Sequence, residues 1–162
     1  MTLYQELITK LDSLKLPYDI VSHEPALTTE QADSFIEGIE GVRTKTLFLT
    51  NKKKTAFYLV VMDDQKRLNL DHFKEIIQEK RIKLASEQLI DEKTSLEPGV
   101  VSPFGLLFNK EHDIRVYFDR EIMSEKIMSF HPTINTKTLF IATKDLLTFI
   151  EHLGNPVEII DL

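Results

Sequence analysis

The sequence contains no cysteine in its 162 residues. The chain can therefore form neither a disulfide framework nor a thiolate nucleophile, and a zinc site with cysteine ligands is excluded. It also has no stretch approaching the roughly 18 apolar residues of a membrane span. At the N-terminus there is no basic segment followed by an apolar run, as a secretory signal would require. We therefore expect a soluble, cytoplasmic protein that does not bind a membrane.

The familiar catalytic motifs are missing as well. The sequence has no Gly-x-x-x-x-Gly-Lys phosphate loop, no Gly-x-Gly-x-x-Gly turn and no Gly-x-Ser-x-Gly nucleophile elbow. Its five histidines never lie four residues apart on one helix, and none forms a known ligand pattern with a carboxylate. Asp63 and Asp64 are adjacent, so on an extended chain they point in opposite directions, and we expect them in a loop. The sequence thus predicts no metal and no other cofactor.

The composition is that of an ordinary globular domain. Hydrophobic residues make up 42% and charged residues 28% of the chain. A chain of this length can bury about 70% of its unfolded surface, so we expect one domain over residues 1–162. The net charge of −6 argues against broad adhesion to nucleic acid. A local basic patch is still present at Lys52, Lys53 and Lys54, which form either a solvated turn or a contact to phosphate.

Hydrophobic periodicity predicts an α+β domain with a mixed, mostly antiparallel sheet flanked by helices. A capping box at Thr28 and Gln31 begins one helix, and residues 98–105 form a structured loop. The first two long strands are joined by the lysine-rich turn and should pair as a hairpin. The other predicted helices cover residues 3–15, 69–79, 86–90 and 143–153. The predicted strands cover residues 18–22, 43–50, 56–62, 82–85, 114–118, 127–130, 138–142 and 157–160.

Lys45 is the most informative residue, because it interrupts a strand that is otherwise largely apolar. A charged amine in such a strand is costly unless it meets a partner or a ligand. A lysine held in this way can bind an anion or act as an electrophile. The alternative is a lysine on an edge strand with its amine in water.

Two other segments are candidates for the same pocket. Gly99 is followed by residues with free backbone N–H groups, an arrangement that can hold a carbonyl oxygen or an oxyanion, although it also occurs in ordinary turns. His131 precedes Pro132, which biases its backbone toward an extended conformation. A histidine in this position is either a structural residue or part of a site.

Five segments in this order and spacing resemble the YbaK and prolyl-tRNA-synthetase-associated editing family, and specifically its freestanding PrdX-like group. The resemblance runs through nearly the whole chain. Members of the family hydrolyse mischarged aminoacyl-tRNA in trans, and the PrdX-like group is associated with removing alanine from proline tRNA. The resemblance therefore implies an aminoacyl-tRNA deacylase. The matching segments are residues 23–32, 45–49, 57–61, 98–105 and 131–138.

The resemblance also implies roles for individual residues. Lys45 would anchor the terminal adenosine or its phosphate and orient the ester. Main-chain amides of the loop from Gly99 to Ser102, including Val100, would hold the substrate carbonyl, and His131 would be an orienting or pocket residue. The 2′-hydroxyl of the terminal ribose would help to activate water. Lys52 to Lys54 would contact the tRNA. Substrate-binding residues would be His23, Thr46, Ser102, Phe104 and Asn135, and residues 23–27 together with Phe35 and Phe104 would form the walls of a small pocket.

Several family members have asparagine after the site lysine, whereas this chain has Thr46. The identity of the amino acid removed is therefore less defined than the reaction, and cysteine on proline tRNA is an alternative to alanine. A noncatalytic module that binds tRNA or adenosine, or a protein-interaction module with the same fold, is a further alternative. The implied partner is the acceptor end of proline tRNA, and association with prolyl-tRNA synthetase is left open.

Overall fold

The computed structural model describes residues 1–162, in which five α-helices and eight β-strands alternate. None of the helices is long and apolar enough to cross a membrane. Short 3-10 helices occur at Pro98–Val100, Pro103–Phe108 and Arg120–Ser124. The α-helices are α1 (Leu3–Ser13), α2 (Thr29–Phe35), α3 (Leu70–Ile77), α4 (Glu87–Thr94) and α5 (Thr143–Leu153). The strands are β1 (Tyr18–Ser22), β2 (Val42–Asn51), β3 (Phe57–Asp63), β4 (Ile82–Leu84), β5 (Ile114–Asp119), β6 (Ile127–Phe130), β7 (Lys137–Ala142) and β8 (Val157–Ile160).

The strands form one mixed sheet in the order β1-β7-β6-β2-β3-β5-β8, with β4 paired to β2. Four pairings are antiparallel (β1 with β7, β6 with β7, β2 with β3, β2 with β4) and three are parallel. The predicted α+β class with a mixed, mostly antiparallel sheet is therefore confirmed. The predicted hairpin is confirmed too, with Lys45 opposite Met62 in the β2–β3 register.

Two hydrophobic clusters hold the helices against the sheet. The larger one contains Phe48, Phe104 and Phe149, all at most 3% exposed, and includes side chains from α1, α4 and α5. The smaller one is centred on Tyr58 and Phe73 and includes the apolar face of α3. Successive residues of β2 and β3 contribute to alternate clusters, as the period of a strand requires. Burying one such side chain fully contributes about 1.5–3 kcal/mol.

Helix α2 begins at the predicted cap, where the Thr28 hydroxyl accepts a hydrogen bond from the Gln31 N–H at 3.0 Å. The capping box is incomplete, because the Gln31 side chain accepts from the Leu27 N–H rather than from Thr28. The sequence also predicted α1 two residues too long, and it ended α4 four residues too early. The boundaries of short helices depend on such caps more than on periodicity.

The connection from α2 to β2 is fixed by Arg43. Its guanidinium donates hydrogen bonds to the carbonyls of Ile36, Ile39 and Gly41 at 2.6–2.8 Å. Gly41 has a φ of +145°, and a Cβ at this position would lie 3.0 Å from the Phe140 ring. A larger residue at position 41 would therefore be strained. The hydrogen bonds of Arg43 hold α2 in place over the start of β2.

Strand β2 joins the two halves of the sheet and then separates from one of them. It pairs with β6 only through Val42 and Arg43, whereas its residues 44–50 pair with the whole of β3. At the point of separation the Thr44 hydroxyl donates to the Ser129 carbonyl at 2.6 Å, and the Ser129 hydroxyl donates to the Val42 carbonyl at 3.0 Å. The gap between the diverging strands creates an opening in the sheet.

Candidate functional site

A cleft of about 370 Å³ occupies this opening. One wall is the middle of β2, a second is the end of β6, a third is the 3-10 turn after Pro98, and α2 with the loop before it forms the fourth. Lys45, Gly99 and His131, which are far apart in the sequence, meet here. The lining residues are 26–29, 32, 33, 36, 44–46, 64, 98, 99, 101, 129–131 and 138.

Lys45 lines the cleft and is partly buried. It forms no ion pair and no side-chain hydrogen bond with the rest of the chain, unlike Lys66, Lys93 and Arg120. An ammonium group that is partly removed from water and has no internal partner is suited to an anionic or carbonyl ligand. Next to it, the Thr46 hydroxyl is buried without a hydrogen-bond partner inside the chain.

His131 also lines the cleft, and its protonation is defined by its surroundings. Its Nδ1 lies 3.0 Å from the Lys137 carbonyl, which can only accept, so Nδ1 carries the hydrogen. Burial lowers the pKa of His131 below its ordinary value of 6.5, and the nearby His23 lowers it further, although the hydrogen bond to Lys137 opposes them. The ring is therefore neutral at pH 7, with an unprotonated Nε2.

The cleft reaches the turn after Pro98 through Gly99 and Val101. Gly99 is exposed, and a Cβ there would meet no atom within 4 Å, so the backbone at this position is open to a ligand. Val100 differs from the prediction: its side chain is 7% exposed, and its N–H already donates to the Glu97 carbonyl at 3.1 Å. The Val100 amide is therefore occupied, because the 3-10 turn closes on itself.

His23 does not line the cleft but supports its wall. Its Nδ1 donates to the Glu24 carbonyl at 2.7 Å, its Nε2 is hydrogen-bonded to the Thr138 hydroxyl at 2.9 Å, and its ring stacks on Phe35 at 4.9 Å. Asn135 has a similar position. Its carbonyl accepts a hydrogen bond from the Ala26 N–H, and its side-chain amide donates one to the Ala26 carbonyl. Both residues hold the loop before α2 next to the cleft.

Ser102 and Phe104 lie behind the cleft. The Ser102 side chain is 1% exposed and caps the second 3-10 helix by accepting from the Phe104 N–H at 3.2 Å. Phe104 is 0% exposed and packs edge-to-face against Phe130 and Phe149, with ring centroids 5.6 and 5.7 Å away. Neither side chain is accessible to a substrate, so both are structural here. The sequence pattern could not distinguish an aromatic wall from an aromatic core.

Lys52, Lys53 and Lys54 are exposed in the β2–β3 turn and do not line the cleft. Lys52 lies seven positions after Lys45 along β2, a distance of about 23 Å at roughly 3.3 Å per residue. These lysines can contact only a ligand that extends well beyond the cleft.

Two acidic residues of the cleft were not predicted from the sequence as site residues. Asp33 on α2 and Asp64, one residue after β3, both line the cleft, and their carboxyl groups are close enough for Asp33 to affect the ionisation of Asp64. The pKa of Asp64 is raised to about 7, mainly by burial and then by the hydrogen bonding and negative charge of the neighbouring Asp33 carboxyl, while Gln65 and Arg43 oppose the shift. Asp63 and Asp64 had suggested only a loop. No sequence signal links Asp64 to a residue that lies 31 positions away.

Comparison with known proteins identifies the class to which this fold and cleft belong. The model of the aminoacyl-tRNA editing domain matches residues 23–149, and the chain belongs to that family. The predicted family is thus confirmed.

Individual relatives agree with this assignment. The chain is 31% identical over 159 residues to the prolyl-tRNA editing protein ProX of Acetoanaerobium sticklandii, covering 98% of this chain and 96% of the relative. It is 30% identical to the prolyl-tRNA synthetase associated domain-containing protein 1 of Danio rerio, covering 93% of this chain and 82% of the relative. A crystal structure described as that of a candidate trans-editing enzyme for prolyl tRNA synthetase has the same fold, with a TM-score of 0.77 at 18% identity over 100% of this chain and 97% of the other.

Proposed function

We propose that residues 1–162 form a single trans-editing domain that hydrolyses the ester of mischarged proline tRNA, with alanine as the amino acid removed. The observation that carries the proposal is the meeting of Lys45, Gly99 and His131 in one cleft of a chain that belongs to the aminoacyl-tRNA editing family. The name of the bacterial relative, a prolyl-tRNA editing protein, supports proline tRNA as the substrate.

The residues of the cleft suit this reaction. An aminoacyl ester is already activated, so its hydrolysis needs a positioned water and stabilisation of the developing oxyanion rather than a metal or a covalent nucleophile. In our proposal Lys45 holds the terminal adenosine or its phosphate, and the exposed backbone at Gly99 faces the ester carbonyl. The neutral Nε2 of His131 accepts a hydrogen bond from the terminal ribose or from water. The 2′-hydroxyl of the ribose helps to activate that water.

The size of the cleft supports a small amino acid. Its volume of about 370 Å³ is near the lower end of the roughly 300–1,000 Å³ range of ligand sites, and it must also accept part of the terminal nucleoside. A synthetase pocket built for proline rejects the smaller alanine by only about 1–3 kcal/mol, so a second, smaller site supplies the missing discrimination. Cysteine on the same tRNA is the competing substrate.

The test is a deacylation panel with purified protein and proline tRNA charged with alanine, cysteine or proline, together with alanyl-tRNA of the alanine acceptor. We expect fast loss of alanine from proline tRNA and no loss of proline. If none of the small aminoacyl esters is hydrolysed above the buffer rate, the proposal is wrong. Binding of the tRNA without turnover would instead indicate a noncatalytic module.

Contact between the tRNA and Lys52 to Lys54 is a separate part of the proposal. Each phosphate contact contributes about 0.7–0.9 to the slope of log affinity against log salt concentration. Replacing the three lysines with glutamine should therefore reduce the slope for tRNA binding and leave hydrolysis at saturating substrate unchanged. An unchanged slope would remove this turn from the tRNA interface. Adding prolyl-tRNA synthetase to the same assays tests whether it is a partner.

A further inference from the structure

The two carboxyl groups of the cleft are not explained by hydrolysis of the ester itself. Asp33 and Asp64 are the only acidic side chains that line it, and neither forms an ion pair within the chain. Arg43 lies near Asp64, but its guanidinium is already bound to three carbonyls of the α2–β2 connection. The charge of Arg43 favours the ionised form of Asp64, but no ion pair neutralises the two carboxyl groups that line the cleft.

Such an arrangement is unfavourable in the empty protein. Two carboxyl groups in contact cannot both ionise easily, and partial burial makes the charge more costly. A cation that enters the cleft removes this cost, because an ammonium group placed between two carboxylates forms charge-assisted hydrogen bonds with both. The pair is thus poised to bind a positively charged group of the ligand.

The substrate of the proposed reaction has one positively charged group close to the ester. The α-amino group of an aminoacyl ester is separated from the ester carbonyl by a single carbon, so the two must occupy the same small cleft. Lys45 on β2 and Gly99 in the turn after Pro98 line the same cleft, and they suit the carbonyl and the phosphate rather than an amine. The charges of the cleft therefore give the substrate one orientation.

We infer that Asp33 and Asp64 bind the α-ammonium group of the aminoacyl ester and so restrict the enzyme to substrates with a free amine. This inference rests on the proposed function and adds a specificity determinant to it. The cleft would then reject aminoacyl esters whose amine is acylated, because an amide nitrogen has no charge and leaves both carboxyl groups without a cation.

The direct test compares alanyl-tRNA with N-acetyl-alanyl-tRNA, both on proline tRNA. We expect the unmodified protein to hydrolyse the free-amine substrate at least about tenfold faster in kcat/KM, as expected for loss of a charge-assisted hydrogen bond. Asp64→Asn and Asp33→Asn should slow hydrolysis of the free-amine substrate and bring the ratio of the two rates toward one. Asp63→Asn is the matched control, because Asp63 is adjacent, does not line the cleft, and should leave the ratio unchanged.

Two results would overturn the inference. One is equal hydrolysis of both substrates by the unmodified protein, which would leave the proposed function intact. The other is an equal loss on both substrates in Asp64→Asn, which would assign the pair to proton transfer or to structure.

A binding measurement separates failure of the inference from failure of the proposed function. The probes are 3′-alanylamino-3′-deoxyadenosine, whose amide link is not hydrolysed by this chemistry, and its N-acetyl derivative. We expect calorimetry to show at least about tenfold tighter binding of the free-amine probe, with the preference lost in Asp64→Asn. A preference for the free amine in a protein that cleaves no aminoacyl-tRNA would sustain the inference and refute the activity. Equal affinity for both probes would refute the inference whatever the activity.

Discussion

Asp64 and Asp119 lie at the same end of two neighbouring parallel strands, but their surroundings differ. Asp119 ends β5 and is 1% exposed. Its carboxylate accepts hydrogen bonds from the Lys66 ammonium at 2.7 Å and from the Leu162 N–H at 3.3 Å. Hydrogen bonding to Asp119 raises the pKa of Lys66. Asp64 follows β3 and lines the cleft; it accepts a hydrogen bond from the Gln65 side chain at 3.1 Å, has the Asp33 carboxyl as a neighbour and forms no ion pair.

The difference separates a charge that serves the fold from a charge that serves a ligand. The Asp119 carboxylate has a cation and hydrogen-bond donors within the chain, so it is not available to bind a substrate. In the cleft, Asp33 and Asp64 lack a cation while Lys45 lacks an anion, although all three line the same space. Charged groups that a fold leaves unpaired in a concave site are candidates for function.

The largest expected effect comes from removing the unpaired cation. Lys45→Ala should reduce deacylation by about 100-fold, because an ester whose adenosine end is no longer anchored is misplaced relative to the attacking water. Stability should change little, because Lys45 makes no ion pair to lose. Single-turnover hydrolysis and urea unfolding measure the two quantities. Activity equal to that of the unmodified protein would show that the cleft cation has no role.

The paired carboxylate should give the opposite result. Asp119→Ala leaves the Lys66 ammonium without its nearest partner and should lower the free energy of unfolding by about 2–3 kcal/mol, less than for a fully buried pair because Lys66 is 27% exposed. Deacylation by the folded protein should be unchanged. A loss of activity larger than the unfolded fraction explains would contradict the distinction between the two aspartates.

His131 should give a smaller effect that depends on pH. Because its pKa is lowered below 6.5, the neutral ring predominates at pH 7, and kcat/KM should fall only as the pH drops through that lowered value. His131→Asn can keep a donor to Lys137 but lacks the second nitrogen, and should lose about tenfold and this acid limb. Since Asp64 titrates near pH 7 in the same cleft, the profile is also measured in Asp64→Asn. An acid limb that survives in His131→Asn, both alone and combined with Asp64→Asn, would assign it to another group.

The smallest effect concerns stability. The pKa of Asp64 rises from 3.8 to about 7 on folding, so between these values the native state binds more protons than the unfolded chain. Stability therefore decreases as the pH rises from about 4 to about 7 and is level above that range. Asp64→Asn should remove this dependence and be more stable than the unmodified protein at pH 8, by on the order of 1 kcal/mol after allowance for solvent screening.

Urea unfolding at pH 5 and pH 8 checks this prediction, with Asp63→Asn as the control. Parallel pH curves for the unmodified protein and Asp64→Asn would show that Asp64 is not strained by its neighbours.

Much of the fold could be predicted because it is encoded locally. Alternating apolar residues define β2 and β3, and the lysine-rich turn between them sets their pairing. Lys45 could be identified because a charge in an apolar strand is conspicuous wherever the strand lies. The residue pattern alone did not assign His131 to the site, because a histidine before a proline can also be purely structural. The family resemblance was needed to select it.

The rest depends on contacts between distant segments. Asp33 and Asp64 meet only because β2 separates from β6 and α2 is held over the opening by Arg43. Phe104 belongs to the core because Phe149 of α5 packs against it, which no pattern near residue 104 reveals. The amide of Val100 is occupied because the loop closes into a 3-10 turn rather than staying extended.

The most direct test of the cleft as the substrate site is an NMR titration of the labelled protein with 3′-alanylamino-3′-deoxyadenosine. The account predicts that backbone amide shifts concentrate at residues 44–46, 98–101 and 129–131, with the β2–β3 turn at residues 52–54 unaffected. Shifts confined to another surface, in a protein that still hydrolyses alanyl-tRNA, would show that the reaction takes place elsewhere.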